Sequence, residues 1–287
     1  MLTPIRSETG RLAGAYPYVR VGDGPKTLLV VPGIGDAMFD GEYGRIGALA
    51  ARASFRRFLD EYTVWVVSRP RGLGDGRSVT SMARDYARVL EAHVGPAAVL
   101  GVSMGGLIGQ ELARLRPDLV ERLVVAVSGC RLAAAARPTI RSLRTKAIER
   151  EWVEIRSQLL ERMHTGTRRR LYPTLSRTVG RLRPPTPADP RDVVVSFDAV
   201  LEYDGTDGLD EIETRTLVVG GDDDPFFPES ILRETHAGLP DAQLAMFRNA
   251  RHGAYLERKE AFDNWVRRFL DGEAARVHES GARSDPF

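Results

Sequence analysis

The chain has 287 residues, 43% of them hydrophobic and 28% charged, and a net charge of +2. That length and balance suit one large α/β domain with a sizeable buried core, and exclude a low-complexity chain. No apolar run approaches the roughly 18 residues that span a bilayer, and the opening MLTPIRSETG lacks the apolar centre of a secretion signal.

In chain order, YPYVRVGDG (16–24) alternates like an antiparallel edge strand and closes in a Gly-rich turn. TLLVVPG (27–33) and TVWVVSRP (63–70) are short, Val/Leu-rich runs without polar alternation. Such runs suit strands buried on both faces of a mostly parallel sheet. SMARDYARVLEAHV (81–94) is amphipathic and predicts a helix, followed by strand AAVLGVS (97–103) and helix GLIGQELARLRPD (106–118). RLVVAVSG (122–129) is the next strand, and Cys130 after it is expected to be a small buried hydrophobe. A single cysteine cannot form an internal disulfide and suits a reducing cytoplasm.

From Arg131 to Arg191 no buried-strand signal appears. TIRSLRTKAIEREWVEIRSQLLERM (139–163) predicts one long helix or two, and PPTPADP (184–190) cannot continue a helix because proline lacks the donor. Strand TLVVGGD (216–222), helix ESILRETHAGL (229–239), the apolar run AQLAMF (242–247) and a packed final helix (260–277) complete the pattern. The βαβα alternation predicts a doubly wound, mostly parallel α/β sheet. The core is expected over 1–130 and 201–277, a helical insertion over 131–200, and a disordered tail over 278–287.

Ser103 lies between Gly101 and Gly105, at the junction of a strand and a helix. A chain that turns there within one residue holds its serine in a strained conformation above the sheet, and small residues two positions away let strand and helix approach. Such a serine needs a base, and the base an orienting acid. Of five histidines, His93 precedes the serine, His164 lies in the insertion, His236 in a polar helix and His278 in the tail. His252 follows the late strand run 242–247 and is the expected base. Strand 216–222 leads into Asp222, Asp223 and Asp224, any of which could serve as the acid.

Together, PGIGDA (32–37), RPRGLGDGRS (69–78), GVSMGG (101–106), GGDDDPFFP (220–228) and ARHGAYLE (250–257) resemble the α/β-hydrolase superfamily in order and spacing. The resemblance implies a Ser103–His252–Asp224 triad, the acid being set by the G-x-x-D-x-x-x-P pattern over Gly221, Asp224 and Pro228. It also implies an oxyanion hole from the backbone N–H groups of Ile34 and Met104, and a helical lid formed by the insertion. One departure stands out: this chain has Pro32-Gly33 where most relatives have His-Gly. The histidine that often fixes that turn is therefore absent.

The implied chemistry is hydrolysis of a carboxylic ester, thioester or lactone through an acyl-enzyme, without metal or organic cofactor. Carbon–carbon bond hydrolysis of a β-diketone-like substrate uses the same triad, and a ligand-binding protein could retain the fold. GIGDAM (33–38) lacks the third glycine of a dinucleotide fingerprint, and one cysteine builds no zinc site. Residues 131–191 hold fifteen Lys/Arg against five acids, a net +10 that leaves −8 to the remainder. Arg168, Arg169 and Arg170 are candidates for attracting an anionic substrate. A small-molecule substrate is expected, with neither nucleic acid nor a membrane as partner.

Overall fold

The computed structural model describes residues 6–273. Eight strands form one sheet: β1 (Ser7–Leu12), β2 (Tyr16–Val21), β3 (Lys26–Val31), β4 (Tyr62–Val67), β5 (Ala97–Val102), β6 (Val120–Ala126), β7 (Thr216–Gly221) and β8 (Ala242–Phe247). Their spatial order is β1-β2-β4-β3-β5-β6-β7-β8. β1, β2 and β4 pair antiparallel, and every pair from β4–β3 to β7–β8 is parallel. Strand 16–24 was expected at the edge, but β1 lies outside it and β2 is largely buried. β1 escapes sequence reading because SETGRL is exposed over its first five residues and carries no apolar pattern.

The apolar runs divide by alternation between two cores. Leu29, Val31, Val99, Leu123, Val125 and Val218 face α2 (Val79–Val89), α3 (Met104–Leu115) and α8 (Glu229–Gly238). Leu28, Val30, Ala98, Leu100, Val124, Leu217 and Val219 face α1 (Arg45–Phe55) and α10 (Lys259–Leu270). Helices thus cover both faces, as a parallel sheet requires.

The chain between β6 and β7 is helical, with α4 (Arg137–Ile148), α5 (Trp152–Met163), α6 (Arg168–Arg177) and α7 (Pro190–Glu202). The stretch 139–163 is two helices, parted where Arg150 adopts φ +60°. α4 and α7 pack together and share a core with α2 and α3 through Ile140, Leu143, Val193 and Phe197.

Several boundaries differ from expectation, two of them for a plain backbone reason. β6 stops at Ala126 rather than 129, because Val127 turns to φ +44°. The final helix ends at Leu270 rather than 277: Gly272, at φ +86°, donates to Phe269 O at 3.0 Å, and Glu273 donates to Arg268 O at 2.9 Å. That pair of bonds is a Schellman stop, which favours glycine at its left-handed position. The tail expected over 278–287 lies outside the described residues. Among those residues no helix is long and apolar enough to cross a membrane.

Candidate active site

The sheet changes winding direction at β3, which has β4 on one side and β5 on the other. Open α/β sheets gather ligands at the carboxyl ends of strands flanking such a point. Four strand ends matter here: the turn after β3 and the elbow after β5 at that point, and the loops after β7 and β8 further along the same end of the sheet.

At the elbow, Ser103 takes φ +55° and ψ −121°, a conformation rare outside glycine. Its N–H donates to Ala126 O at 2.9 Å, tying the turn to β6. The flanking glycines make the crossing fit. A Cβ on Gly105 would stand 2.0 Å from Val31 O, and one on Gly101 would stand 2.3 Å from Gly105 O.

The loops after β7 and β8 bring Asp224 and His252 to this serine. His252 Nδ1 lies 2.7 Å from Asp224 Oδ2, and its Nε2 lies 2.9 Å from Ser103 Oγ. A carboxylate only accepts, so Nδ1 carries the proton and Nε2 accepts from the serine hydroxyl. Asp224 is 2% exposed, and its Oδ1 accepts from the N–H groups of Phe226 at 2.8 Å and Phe227 at 3.2 Å. Its neighbours do other things. Asp222 accepts from Ala250 N at 3.3 Å, and Asp223 points outward toward Arg251 at 3.4 Å.

Sequence reasoning missed what surrounds His252. Phe226 meets the imidazole edge-on at 4.9 Å between centroids, and Phe227 lies nearly parallel to it at 6.1 Å. The helical insertion reaches the same loop: Gly253 N donates to Met163 O at 2.8 Å, and Arg251 Nε donates to Arg162 O at 3.3 Å. Thr165 donates through N and Oγ1 to Glu257, beside the buried His164. The Phe-Phe pair after the acid was the available signal; the contacts to the insertion had none.

On the other side of the serine, Gly33 is so close that a Cβ would stand 3.2 Å from Ser103 Cβ. Ile34 begins a 3₁₀ turn (Ile34–Met38), and Met104 begins α3. The first N–H of a helix has no acceptor within it, so both amides are available to a ligand.

The turn carrying Ile34 contains a buried charge cluster. Asp36 accepts from Ser68 Oγ at 2.5 Å and from Arg69 N at 3.2 Å, and pairs with Arg71 at 3.1 Å. Burial pushes the Asp36 carboxyl upward, but Arg69, Arg71 and the Ser68 hydroxyl outweigh it and hold the carboxyl below its ordinary range. Arg168, Arg169 and Arg170 stand apart from all this, exposed on α6. Arg169 and Arg170 line a groove of about 820 Å³ with Glu161, Thr174 and Arg177, and no triad residue lines it.

The sheet, the strained elbow and the loop order are those of one class, and the comparisons agree. The alpha/beta hydrolase family matches residues 28–265, and the chain belongs to it. It is a hydrolase. A polyketide synthase of Burkholderia thailandensis, ThaQ, is 29% identical over 282 residues, which cover 93% of this chain but only 13% of the synthase. A pimeloyl-[acyl-carrier protein] methyl ester esterase of Neisseria meningitidis is 29% identical over 62% of this chain and 70% of its own length. Among solved structures, the enol-lactonase of Burkholderia xenovorans superposes with a TM-score of 0.75 at 19% identity, covering 92% of this chain and all of the lactonase.

Proposed function

We propose that the chain hydrolyses a carboxylic ester, thioester or lactone through an acyl-enzyme on Ser103. The observation carrying this reading is the hydrogen-bonded line from Ser103 Oγ through the His252 ring to Asp224. Ser103 Oγ attacks the carbonyl carbon as its proton passes to His252 Nε2. The imidazolium, steadied by Asp224, then returns that proton to the leaving oxygen or sulfur, whose bond to the acyl carbon breaks. Water repeats the sequence on the acyl-enzyme and releases the acid. The N–H groups of Ile34 and Met104 hold the oxyanion of each tetrahedral intermediate. The insertion over 131–200 acts as a lid, an assignment supported by its bonds to the His252 loop. The likeness to a methyl ester esterase supports an ester as the scissile bond.

The test is turnover of short p-nitrophenyl esters by the purified chain. Ser103→Ala should lower kcat by roughly three orders of magnitude or more, because triad members act as a unit. Tight ester binding without turnover by the parent protein would contradict the reading.

A further inference from the structure

Arg69 is fully buried, with its side chain 1% exposed. Taking a guanidinium out of water costs several kcal/mol, about what a good ion pair and its hydrogen bonds return. Asp36 stands 3.7 Å away, yet the hydrogen bonds of the guanidinium go elsewhere. Its Nη1 donates to Pro32 O and Gly33 O, and its Nη2 to Gly33 O, each at 3.3 Å. Gly33 O also accepts from Asp36 N at 3.2 Å.

The Gly33 carbonyl shares its peptide plane with the Ile34 N–H. No described peptide bond is cis, so the two groups point in opposite directions. Fixing that carbonyl from behind therefore fixes where the Ile34 N–H points. A positive charge on the oxygen also draws electrons through the amide, which strengthens the N–H as a donor. This turn is the one that lacks the family's histidine.

We propose that Arg69 is a positioning residue for the reaction: it locks and polarises the Gly33–Ile34 peptide so that its N–H meets the oxyanion. Asp36, itself anchored by Arg71 and Ser68, holds the guanidinium in place. The inference rests on the oxyanion role proposed for Ile34. It also explains how Pro32 is tolerated, since the turn is held through its carbonyl oxygens rather than by a side chain at position 32.

The test compares the parent protein with Arg69→Met and with Arg69→Lys, which keeps the charge beside Asp36 but loses the planar fork. The fraction of competent protein is counted by stoichiometric fluorophosphonate labelling of Ser103, so that kcat is read per reactive site. Deleting one oxyanion donor outright costs about 10² to 10³ in kcat; misdirecting one through Arg69→Met should cost about 10-fold to 100-fold, with KM nearly unchanged. Affinity for a trifluoromethyl ketone, which forms an anionic adduct on the serine, should fall in the same proportion, with Arg69→Lys intermediate in both. If Arg69→Met does not fold, the same two readouts on Arg69→Lys decide the matter. A lower Tm with kcat per labelled site and ketone affinity unchanged would make Arg69 a core ion-pair residue only and overturn the inference. A parent protein that takes no label at Ser103 would instead overturn the acyl-enzyme reading beneath it.

Discussion

Three adjacent aspartates differ only in what the fold places beside them. Asp224 is buried and touches His252, Asp222 braces the β8 loop through Ala250 N, and Asp223 is 71% exposed. An amide at the orienting position favours the wrong histidine tautomer, which costs about 10⁴ in kcat in serine proteases. Asp224→Asn should show a loss of that order, and Asp223→Asn none, in ester turnover. Loss in Asp223→Asn instead would shift the assignment by one residue. Ser103 and His252 were legible from glycine spacing, chain order and strand ends, whereas Asp224 was set apart from its two neighbours only by the family pattern over Gly221, Asp224 and Pro228. The Asp36–Arg69–Arg71 cluster was not, since RPRGLGDG looks like any charged loop until the fold brings Asp36 to it from 33 residues away. Its stability has a pH signature. Because the folded carboxyl binds its proton less readily than the unfolded one, its contribution is complete above the ordinary carboxylate range. That contribution is lost as pH falls through the depressed folded value. Asp36→Asn strands a buried guanidinium and should cost about 3–5 kcal/mol near neutrality. Melting curves should show the gap to the parent protein narrowing below about pH 4, the unfolded aspartate range; a gap constant with pH would contradict the pairing.

At the scale of elements, the elbow is a packing problem that glycine solves. Gly105→Ala would press a methyl carbon to 2.0 Å from Val31 O, which backbone cannot yield without moving β3. Overpacking of that kind costs about 1–3 kcal/mol or more, so Tm should fall clearly. Gly74→Ala, with nothing within 4 Å of the new carbon, should barely change it. Equal melting temperatures for the two variants would refute the close strand–helix approach. The buried strands were readable because doubly covered strands are apolar throughout; β1 was not, because it is polar and earns its place by pairing with β2. Helix ends were less legible than helices. The break at Arg150 and the stop at Gly272 depend on single backbone dihedrals that apolar periodicity does not encode.

Over the whole molecule, charge is divided: +10 over 131–191 and −8 elsewhere. A basic insertion raises the local concentration of anionic substrate even when its arginines do not touch it. At low salt, kcat/KM should be higher for an ester carrying a remote carboxylate than for its neutral isostere. The advantage should fade as ionic strength passes about 0.1 M, where screening acts over about 10 Å. Replacing Arg168, Arg169 and Arg170 with Gln should reduce it without affecting the neutral ester; equal rates for both esters at low salt would assign these arginines to solvation alone. The central claim is that Ser103 is the activated nucleophile, and fluorophosphonate labelling followed by peptide mapping tests it most directly. The structure's hydrogen-bonded line predicts one adduct, on Ser103, with ester turnover lost in step with its formation. A label on another residue, or turnover that persists in fully labelled protein, would contradict it.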